Sequence, residues 1–279
     1  MIIIAESGST KTNWLTEDNE LFETIGFNPL FFSSDDIYNE LIKNQGLQKI
    51  KDVCTQVFFY GASCSSDARK KIVFDALKKY FGHAHQLKVD HDMNAAAFAT
   101  YTGEPGIVCI LGTGSNSCLY NGQTIYEEVP ALGYVLGDEG SGAYFGKKLL
   151  AKFLYHELPP ATMELLRNDY GAEKEKIFDA VYKQPHANVY LAGFAQALTH
   201  SPDKEFMETF VAEGFADFFT HHVACYPNYQ QYPVHFVGSI AYHFKSVLQK
   251  IAAQFGCRLG VVDKNPVYSL LQYHLKLKP

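Results

Sequence analysis

The same pattern of apolar and polar positions occurs twice in the chain, at 2–12 and at 107–117. Each stretch starts with a continuous apolar run, passes through a turn of small residues and continues into a second run. A short apolar run bounded by turn residues is typical of a buried strand. Both stretches are therefore predicted to form strand–turn–strand units, and the chain is predicted to contain a loose internal duplication.

The rest of the first half alternates strand and helix patterns. Strands are predicted at 2–5, 12–16, 21–25, 57–60 and 87–89. Helices are predicted at 34–43, with a cap at Ser34 and the acids after it, at 67–81, stopped by Gly82, and at 94–101. The Gly-Glu-Pro-Gly loop at 103–106 is the predicted domain boundary, because glycine and proline interrupt regular structure.

The second half becomes mostly helical after its strand–turn–strand unit. Helices are predicted at 141–156, 160–169, 173–183, 188–199, 203–224, 241–255 and 266–279, and strands at 235–237 and 258–262. This mixture predicts an α/β protein. Its expected domains are 1–103 and 104–265, with helical insertions in the second domain and the terminal helix packed on the first.

Composition narrows the possible partners. The chain has 279 residues, 47% of them hydrophobic, and a net charge of −6 without a basic run, which argues against nucleic-acid and anionic-membrane partners. No apolar stretch has the length of a membrane span, and the N-terminus lacks the basic segment of a signal peptide. Six scattered cysteines without a C-x-x-C motif predict reduced thiols in a cytoplasmic protein. The 21 phenylalanines and 18 tyrosines suggest thick cores and a homodimer face.

The first turn has the composition of a phosphate-binding loop. It offers backbone donors, three hydroxyls and a cation in five residues: Ser7, Gly8, Ser9, Thr10 and Lys11. Glu6, at the end of the first strand, is an oxygen ligand suited to Mg²⁺ that is bound through water. A tight turn with glycine and serine is usually only a turn. The second strand–turn–strand unit, at 107–117, is the feature that favours binding of a polyphosphate by two such loops over a simple turn.

Two further loops resemble the first in composition. Gly112, Thr113 and Gly114 form the turn of the second copy, with backbone donors and a hydroxyl but no charge. Gly238 and Ser239 follow an apolar strand and open a helix, where exposed backbone N–H groups favour an anion or a nucleotide. Strand–glycine–helix junctions are common without any ligand, so this third loop carries little weight alone.

Acidic residues stand at two other junctions. Asp90 and Asp92 lie at a strand end, and either could take a proton from a substrate hydroxyl; alternatively, both cap the helix that follows. Asp138 and Glu139 lie among four glycines at 133–142, more than a helix cap needs, which favours a polyhydroxylated ligand. His83 and His85, and the adjacent His221 and His222, have no partners at metal-ligand spacing.

In their order, these motifs resemble the acetate-and-sugar-kinase/actin-like ATPase superfamily. More narrowly, the chain resembles the BadF/BadG/BcrA/BcrD-type ATPases that include N-acetylglucosamine kinases. The resemblance covers essentially the whole chain. It rests on matches to the first phosphate loop at 5–12, the second at 111–116, the G-D-E-G-S motif at 137–141, the adenosine motif at 237–241, the D-x-x-A-A motif at Asp92 and a G-x-N segment at 26–28.

The resemblance implies two ribonuclease-H-like (actin-like ATPase) domains flanking a nucleotide cleft. It implies that Asp92 is the general base, that Asn28, Asn116 and Asp138 hold a sugar, and that Thr10, Lys11, Thr113, Gly114 and Gly238 hold ATP. Two departures from the family pattern stand in the first loop. Glu6 replaces the aspartate of many relatives, and Ser7 and Ser9 replace glycines, which adds bulk near the phosphate and could slow turnover.

The function implied is ATP- and Mg²⁺-dependent phosphorylation of an amino sugar, N-acetylglucosamine to its 6-phosphate. One alternative is an activator ATPase of 2-hydroxyacyl-CoA dehydratases, which shares the family. Its bridging iron–sulphur cluster needs a Cys-Ala-Ala-Gly-Thr-Gly run that this sequence lacks. A second alternative is a catalytically silent sugar-binding sensor.

Overall fold

The computed structural model describes residues 1–276 and divides the chain into two compact units. The first unit consists of Met1–Tyr101 and the C-terminal segment that begins at Asn265, and the second is Thr102–Lys264. Each unit is built on one five-stranded mixed sheet with helices. The α/β fold class predicted from the sequence is therefore confirmed.

The sheet of the first unit has the strand order β3-β2-β1-β4-β5. Its strands are β1 (Ile2–Ser7), β2 (Lys11–Thr16), β3 (Leu21–Ile25), β4 (Gln56–Gly61) and β5 (Gln86–His91). Strands β1, β2 and β3 pair antiparallel, whereas β4 pairs parallel with both β1 and β5. The predicted hairpin is confirmed, and its last pair joins Ser7 to Thr12 on either side of the turn.

Five helices belong to the first unit: α1 (Ser34–Lys43), α2 (Gln45–Ile50), α3 (Asp67–Tyr80), α4 (Asp92–Thr100) and α14 (Val267–Lys276). The predicted cap of α1 was one residue late, because Ser33 accepts the backbone N–H of Asp36 and forms a capping box with it. Helix α4 starts at Asp92, earlier than predicted. The predicted terminal helix corresponds to α14, and positions 277–279 of that prediction lie outside the described residues.

Both faces of the first sheet are covered, which explains the unbroken apolar run at its N-terminus. Successive strand residues point to opposite faces. Ile3 and Ala5 therefore join the core beneath α1 and α3, whereas Ile2 and Ile4 join the core formed with α4 and α14. Helix α14 contributes Val267, Leu270 and Leu271 to that second core. The N-terminal sheet is thus completed by the last helix of the chain.

The second unit repeats the topology of the first. Its sheet has the order β10-β9-β6-β7-β8, with β6 (Gly106–Leu111), β7 (Ser115–Tyr120), β8 (Ile125–Tyr126), β9 (Pro233–Val237) and β10 (Arg258–Asp263). Strands β6, β7 and β8 pair antiparallel, and β9 pairs parallel with both β6 and β10. Strand for strand this matches the first sheet, so the internal duplication read from the sequence is present in the fold.

Helices of the second unit fill the region between its hairpin and β9. They are α5 (Gly133–Leu136), α6 (Gly142–Leu154), α7 (Pro160–Asn168), α8 (Lys174–Tyr182), α9 (Ala187–Gly193), α10 (Ala197–His200) and α11 (Lys204–His222), and α12 (Ser239–His243) and α13 (Lys245–Gln254) follow β9. The helix predicted at 188–199 is broken by a 3-10 turn at Phe194–Gln196, and the helix predicted at 241–255 is divided at Phe244. Among the described residues, no helix combines the length and apolarity needed to cross a membrane.

Candidate functional site

The first loop, residues 7–11, is shaped by the hydroxyl of Ser7. Ser7 is fully buried, and its Oγ lies 2.7 Å from the hydroxyl of Thr12 and accepts the backbone N–H of Phe27 at 2.9 Å. The backbone N–H of Gly8 donates to the carbonyl of Lys11 at 2.9 Å, which closes the turn. Ser7, which the sequence placed among the nucleotide ligands, thus uses its side chain inside the protein. Its hydroxyl holds the turn against the segment that carries Phe27.

That neighbouring segment, 26–28, lies directly against the first loop. A methyl group on Gly26 would overlap the carbonyl oxygen of Gly8 and lie 2.8 Å from the carbonyl carbon of Ser9, so only glycine fits there. The backbone N–H of Gly26 donates to the carbonyl of Thr10 at 3.1 Å. Asn28 is buried, and its Oδ1 accepts the N–H of Leu30 at 2.9 Å. The structure therefore joins the predicted sugar segment to the predicted phosphate loop.

The tip of the first loop faces solvent. Thr10 and Lys11 are exposed, and the Lys11 ammonium pairs with Glu23 Oε2 at 2.6 Å. The space that a Cβ on Gly8 would enter has only the Lys11 carbonyl oxygen within 4 Å, at 3.8 Å. Because exposed ion pairs contribute little to stability, separating Lys11 from Glu23 should cost little free energy. Glu6, at the base of the loop, is half-buried.

Asp90 and Asp92 occupy different environments although both follow the same strand. Asp90 Oδ1 accepts from Lys70 Nζ at 2.8 Å and from Asn94 Nδ2 at 2.8 Å, and Lys88 Nζ lies 3.1 Å from Asp90 Oδ2. Burial raises the pKa of Asp90, but hydrogen bonds from Lys70, the backbone of His91 and Lys88, together with the charge of Lys88, outweigh burial and lower it. Asp90 is therefore a structural anion that ties β5 to α3 and α4.

Asp92 is the first residue of α4, where the helix dipole favours a carboxylate. Its side chain is 23% exposed, and its Oδ1 lies 3.1 Å from Nε2 of His91. Of the two acids, Asp92 is thus the one with a carboxylate not enclosed by lysines. This distinction was left open by the sequence, because the lysine on α3 that pairs with Asp90 is remote along the chain.

The second loop, residues 112–114, is fixed to the start of α6. The carbonyl oxygens of Gly112 and Thr113 accept the N–H groups of Gly142 and Ala143 at 2.8 and 3.0 Å. Nothing lies within 4 Å of the position that a Cβ on Gly112 would take. The loop is therefore held from one side while the space at Gly112 stays open.

Asp138 approaches the second loop from the G-D-E-G-S motif. Its carboxylate lies 3.0 Å from the position of a Cβ on Gly114, and its Oδ1 accepts the N–H of Ser115 at 3.3 Å. Asp138 has a left-handed backbone, with a φ of 58°, and burial raises the pKa of its carboxyl to about 6. Asn116, on β7 beside this loop, is also buried, and its Oδ1 accepts the N–H of Ser117 at 2.8 Å.

The third loop meets the second from the end of β9. Gly238 has a φ of 120°, and a methyl group on it would overlap the carbonyl oxygen of Leu111 and lie 2.7 Å from the carbonyl carbon. Its N–H donates to the carbonyl of Asp263 at 2.9 Å, and Ser239 begins α12. In the second unit, the structure thus brings together three motifs that are far apart in sequence: 112–114, 138 and 238–239.

One neighbour of this cluster was missed by sequence reasoning. His222, the last residue of α11, is 4% exposed, and its Nε2 lies 3.4 Å from Oε2 of Glu139. Burial lowers the pKa of His222 although Glu139 raises it, and the ring stacks on Phe218 with 5.0 Å between centroids. His222 and Glu139 are 83 residues apart in the chain, so no local pattern could have linked them.

The described residues contain no preformed metal centre. Among residues 1–276, no three His, Cys, Asp or Glu side chains converge as metal ligands. Mg²⁺ in phosphoryl-transfer sites keeps several waters and takes one or two carboxylates together with the substrate phosphates. Glu6, half-buried at the end of β1, is a candidate for such a single carboxylate.

Each unit carries a five-stranded mixed sheet with a glycine-containing hairpin turn. No protein-family model matches the chain. The crystal structure of a "putative N-acetylglucosamine kinase" from Porphyromonas gingivalis is 36% identical, with 99% of each chain covered and a TM-score of 0.92. The chain therefore belongs to the family of that protein, within the sugar-kinase and actin-like ATPase fold.

More distant structures agree on the fold. A "putative N-acetylglucosamine kinase" from Chromobacterium violaceum matches at 16% identity, with 98% of each chain covered and a TM-score of 0.70. A ROK family glucokinase from Streptomyces griseus, in complex with glucose and AMPPNP, matches at 13% identity with a TM-score of 0.56, covering 98% of this chain and 97% of its own. At these identities the likeness concerns the fold alone.

Proposed function

We propose that the protein is an ATP-dependent kinase that transfers a phosphoryl group to the 6-hydroxyl of N-acetylglucosamine, within the BadF/BadG/BcrA/BcrD-type ATPase family. The name of the Porphyromonas gingivalis relative supports the amino sugar as substrate. The observation that carries the proposal is the contrast between Asp90, enclosed by lysines, and Asp92, which has its carboxylate at the start of α4.

Asp92 is the proposed general base. Phosphoryl transfer asks a protein for positioning, charge neutralisation and an acceptor for the hydroxyl proton. Asp92 would take that proton as the sugar oxygen forms its bond to the γ-phosphorus and the bond to the ADP oxygen breaks. Asp90 is unsuited to this role because its oxygens already accept from Lys70, Lys88 and Asn94.

The sugar is proposed to be held by Asn28, Asn116 and Asp138. All three residues are less than 10% exposed to solvent. Each side chain also accepts a hydrogen bond from a neighbouring backbone N–H, which fixes its rotamer. Rigid amide and carboxylate groups of this kind discriminate well between hydroxyl orientations, because a misoriented hydroxyl leaves a buried polar group unpaired.

Glycine-containing loops are the proposed ligands of MgATP. In the first unit the ligands would be the backbone of 7–9, the hydroxyl of Thr10 and the ammonium of Lys11, with Glu6 contacting Mg²⁺ through water. In the second unit they would be Gly112, Thr113, Gly114, Gly238 and Ser239. Mg²⁺ would neutralise charge that develops on the transferred phosphoryl group.

The test is a coupled assay of ADP release with hexoses, hexosamines and their N-acetyl forms. We expect N-acetylglucosamine to give the highest kcat/KM, with a product phosphorylated at the 6-position by NMR. Asp92→Asn should lose phosphorylation by about 10³-fold or more while retaining sugar affinity in calorimetry. Full activity in Asp92→Asn would show that another residue is the general base.

The same assay separates the alternatives. A silent sensor would bind a sugar in calorimetry without sugar-dependent ADP release. ATP hydrolysis that no sugar accelerates, together with an iron-dependent brown colour after anaerobic purification, would instead support the activator ATPase.

Two further properties are proposed with this function. Cytoplasmic location would supply ATP and would keep all six cysteines as the free thiols seen in the structure. A homodimer is proposed because large aromatic side chains stand exposed on the helical part of the second unit, among them Tyr155 and Tyr182 at 74% and 75% exposure. Sedimentation velocity at micromolar concentration tests the dimer.

A further inference from the structure

The G-D-E-G-S motif is packed against helix α11 at its second glycine. Gly140 has a φ of 69°, and a Cβ at this position would lie 3.2 Å from Cβ of Phe218 and 3.4 Å from the carbonyl oxygen of Gly214. Glycine permits both this left-handed backbone and this close approach. The packing brings Glu139 next to His222, which lies one turn after Phe218 on α11.

His222 is a buried histidine that uses one of its two ring nitrogens. The residue is 4% exposed, its ring stacks on Phe218, and Nε2 forms a hydrogen bond with Oε2 of Glu139 at 3.4 Å. A glutamate carboxylate only accepts hydrogen bonds, so His222 donates Nε2–H and keeps the lone pair on Nδ1. Burial lowers the pKa of His222, which favours this neutral form. Among residues 1–276, Nδ1 has no hydrogen-bond partner.

Buried atoms without partners are concentrated at this motif. The described residues contain three such side-chain nitrogen or oxygen atoms: Tyr80 Oη, Ser115 Oγ and His222 Nδ1. Two of them belong to the residues that donate to the acids of the motif, Ser115 to Asp138 and His222 to Glu139. Such atoms are rare in folded proteins because they cost free energy. Residues with this cost are expected where they serve a site rather than the packing of the core.

Glu139 keeps one carboxylate oxygen available. His222 bonds Oε2, and no residue in the described part of the chain donates to Oε1. The side chain is 19% exposed, so a ligand can reach part of it. No described lysine or arginine forms an ion pair with Glu139, and the ammonium of Lys147 is bonded instead to the carbonyl oxygen of Tyr134 at 2.7 Å. A largely buried carboxylate without a cation is costly, and O–H donors of a ligand would reduce that cost.

Given the proposed kinase function, on which this step rests, we infer that Glu139 is a second carboxylate ligand of the sugar, beside Asp138, and that His222 is its positioning residue. Glu139 accepts a ring hydroxyl through Oε1 while His222 holds Oε2. Hydrogen bonds to charged acceptors are the strong ones, and a sugar without that hydroxyl leaves the carboxylate unpaired. The pair therefore selects among sugars and takes no part in the proton transfer proposed for Asp92.

The first test combines changes in the protein with changes in the ligand. Calorimetry without ATP measures the binding of N-acetylglucosamine and its 1-, 3- and 4-deoxy analogues to wild type, Glu139→Ala and the isosteric Glu139→Gln. In wild type, removal of the hydroxyl that Glu139 accepts should weaken binding by about 10- to 100-fold. In Glu139→Ala the same analogue should bind within about twofold of the parent sugar, and Glu139→Gln should lie between.

The second test uses the adjacent histidine as its control. His222→Leu removes the donor, His222→Gln offers an amide N–H in its place, and His221→Leu removes an exposed histidine from the same helix end. We expect His222→Leu to raise KM for the sugar by about 5- to 20-fold, with kcat and KM for ATP within about twofold. His222→Gln should recover most of the sugar affinity, and His221→Leu should match wild type.

A merely structural role for His222 predicts different results. If His222→Leu loses kcat, ATP affinity and Tm together, the packing of α11 is damaged and the positioning role is overturned. Equal impairment of His222→Gln and His222→Leu would also overturn it, because the amide would then not replace the imidazole donor.

The calorimetric comparison needs no turnover, so this inference and the proposed function can fail separately. If a sugar stimulates ADP release but each deoxy analogue loses the same affinity in wild type and in Glu139→Ala, the kinase stands and the inference falls. If no sugar stimulates ADP release but Glu139→Ala abolishes the discrimination against one analogue, the kinase proposal fails and the contact stands. Absence of any N-acetylglucosamine binding in calorimetry would overturn the inference as well.

Discussion

Gly26 packs so closely on Gly8 that a methyl group on Gly26 would overlap the Gly8 carbonyl oxygen. The contact joins the first loop to the segment that carries Asn28, so a larger residue at Gly26 should displace both the loop and the segment. Its effect reports on the shape of the first loop without altering any charged or hydroxyl group there.

Gly26→Ala should displace the first loop and destabilise the first unit. Backbone atoms cannot yield as a side-chain end can, so overpacking is expected to cost about 1–3 kcal/mol. We expect a lower Tm and weaker MgATP binding in calorimetry. Gly82→Ala is the matched control, because nothing lies within 4 Å of its added methyl. Equal behaviour of the two variants would contradict the close packing at Gly26.

Gly238→Ala tests the third loop in the same way. The substitution places a side chain at a φ of 120° and against the carbonyl of Leu111, which should cost about 2 kcal/mol or more and should raise KM for ATP. Gly193→Ala, at the end of α9 with open space around it, should leave both stability and KM nearly unchanged. An unaltered KM for ATP in Gly238→Ala would remove Gly238 from the nucleotide site.

Asp138→Asn is expected to separate stability from sugar binding. Burial raises the pKa of Asp138 to about 6, above its ordinary value of 3.8, so the folded protein holds this proton more tightly than the unfolded chain. The carboxyl therefore favours folding below pH 3.8, and this contribution is lost as pH rises to 6. Ionised Asp138 thus costs up to about 3 kcal/mol at pH 7.

The asparagine variant should avoid this cost and keep the hydrogen bond from Ser115. Urea unfolding should show Asp138→Asn more stable than wild type at pH 7 and nearly equal to it at pH 4, while sugar affinity falls at neutral pH. A difference in stability that does not change between pH 4 and pH 7 would mean that burial does not raise the pKa of Asp138 in the fold.

His274 is expected to make the first unit sensitive to acid. It lies on α14, stacks on Phe58 at 3.9 Å between centroids and pairs with the hydroxyl of Tyr60 at 2.8 Å. Burial, with a smaller contribution from Lys88, lowers its pKa from 6.5 to about 4. As pH falls from 6.5 to 4, His274 becomes protonated in the unfolded chain but stays neutral in the folded protein. Up to about 3 kcal/mol of stability is therefore lost over this range.

His274→Gln, which keeps an acceptor for Tyr60, should remove this acid sensitivity. Asp138 acts in the opposite direction over an overlapping pH range, so the informative quantity is the difference in unfolding free energy between variant and wild type. As pH falls from 6.5 to 4, the variant should become more stable relative to wild type. A constant difference would show that His274 titrates normally in the fold.

Sequence reasoning captured those parts of the protein whose signals are local. Both hairpins and the helices with one apolar face, such as α3 and α6, follow from the order of neighbouring residues. Helix α2 was missed because a short helix shows too little periodicity. The division at Phe244 was missed because its apolar pattern runs on without a glycine or proline.

For the candidate site, too, only local features could be predicted from the sequence. Its loops could be found from glycine and hydroxyl content, but their mutual contacts could not. The pairing of Asp90 with Lys70 and of Glu139 with His222 depends on helices that approach from elsewhere in the chain. Through these contacts, Asp90 differs from its neighbour Asp92, and Glu139 from its neighbour Asp138. Residue type and spacing alone could not distinguish the members of each pair.

The return of α14 to the N-terminal sheet has a consequence for biosynthesis. Ile2, Ile4 and Phe58 are translated before the second unit, whereas α14, which covers part of their face, is translated after it. The second unit has all of its strands and helices available before that moment. Nascent chains should therefore be able to form a protease-resistant second unit before α14 packs on the face of the first sheet that carries Ile2 and Ile4.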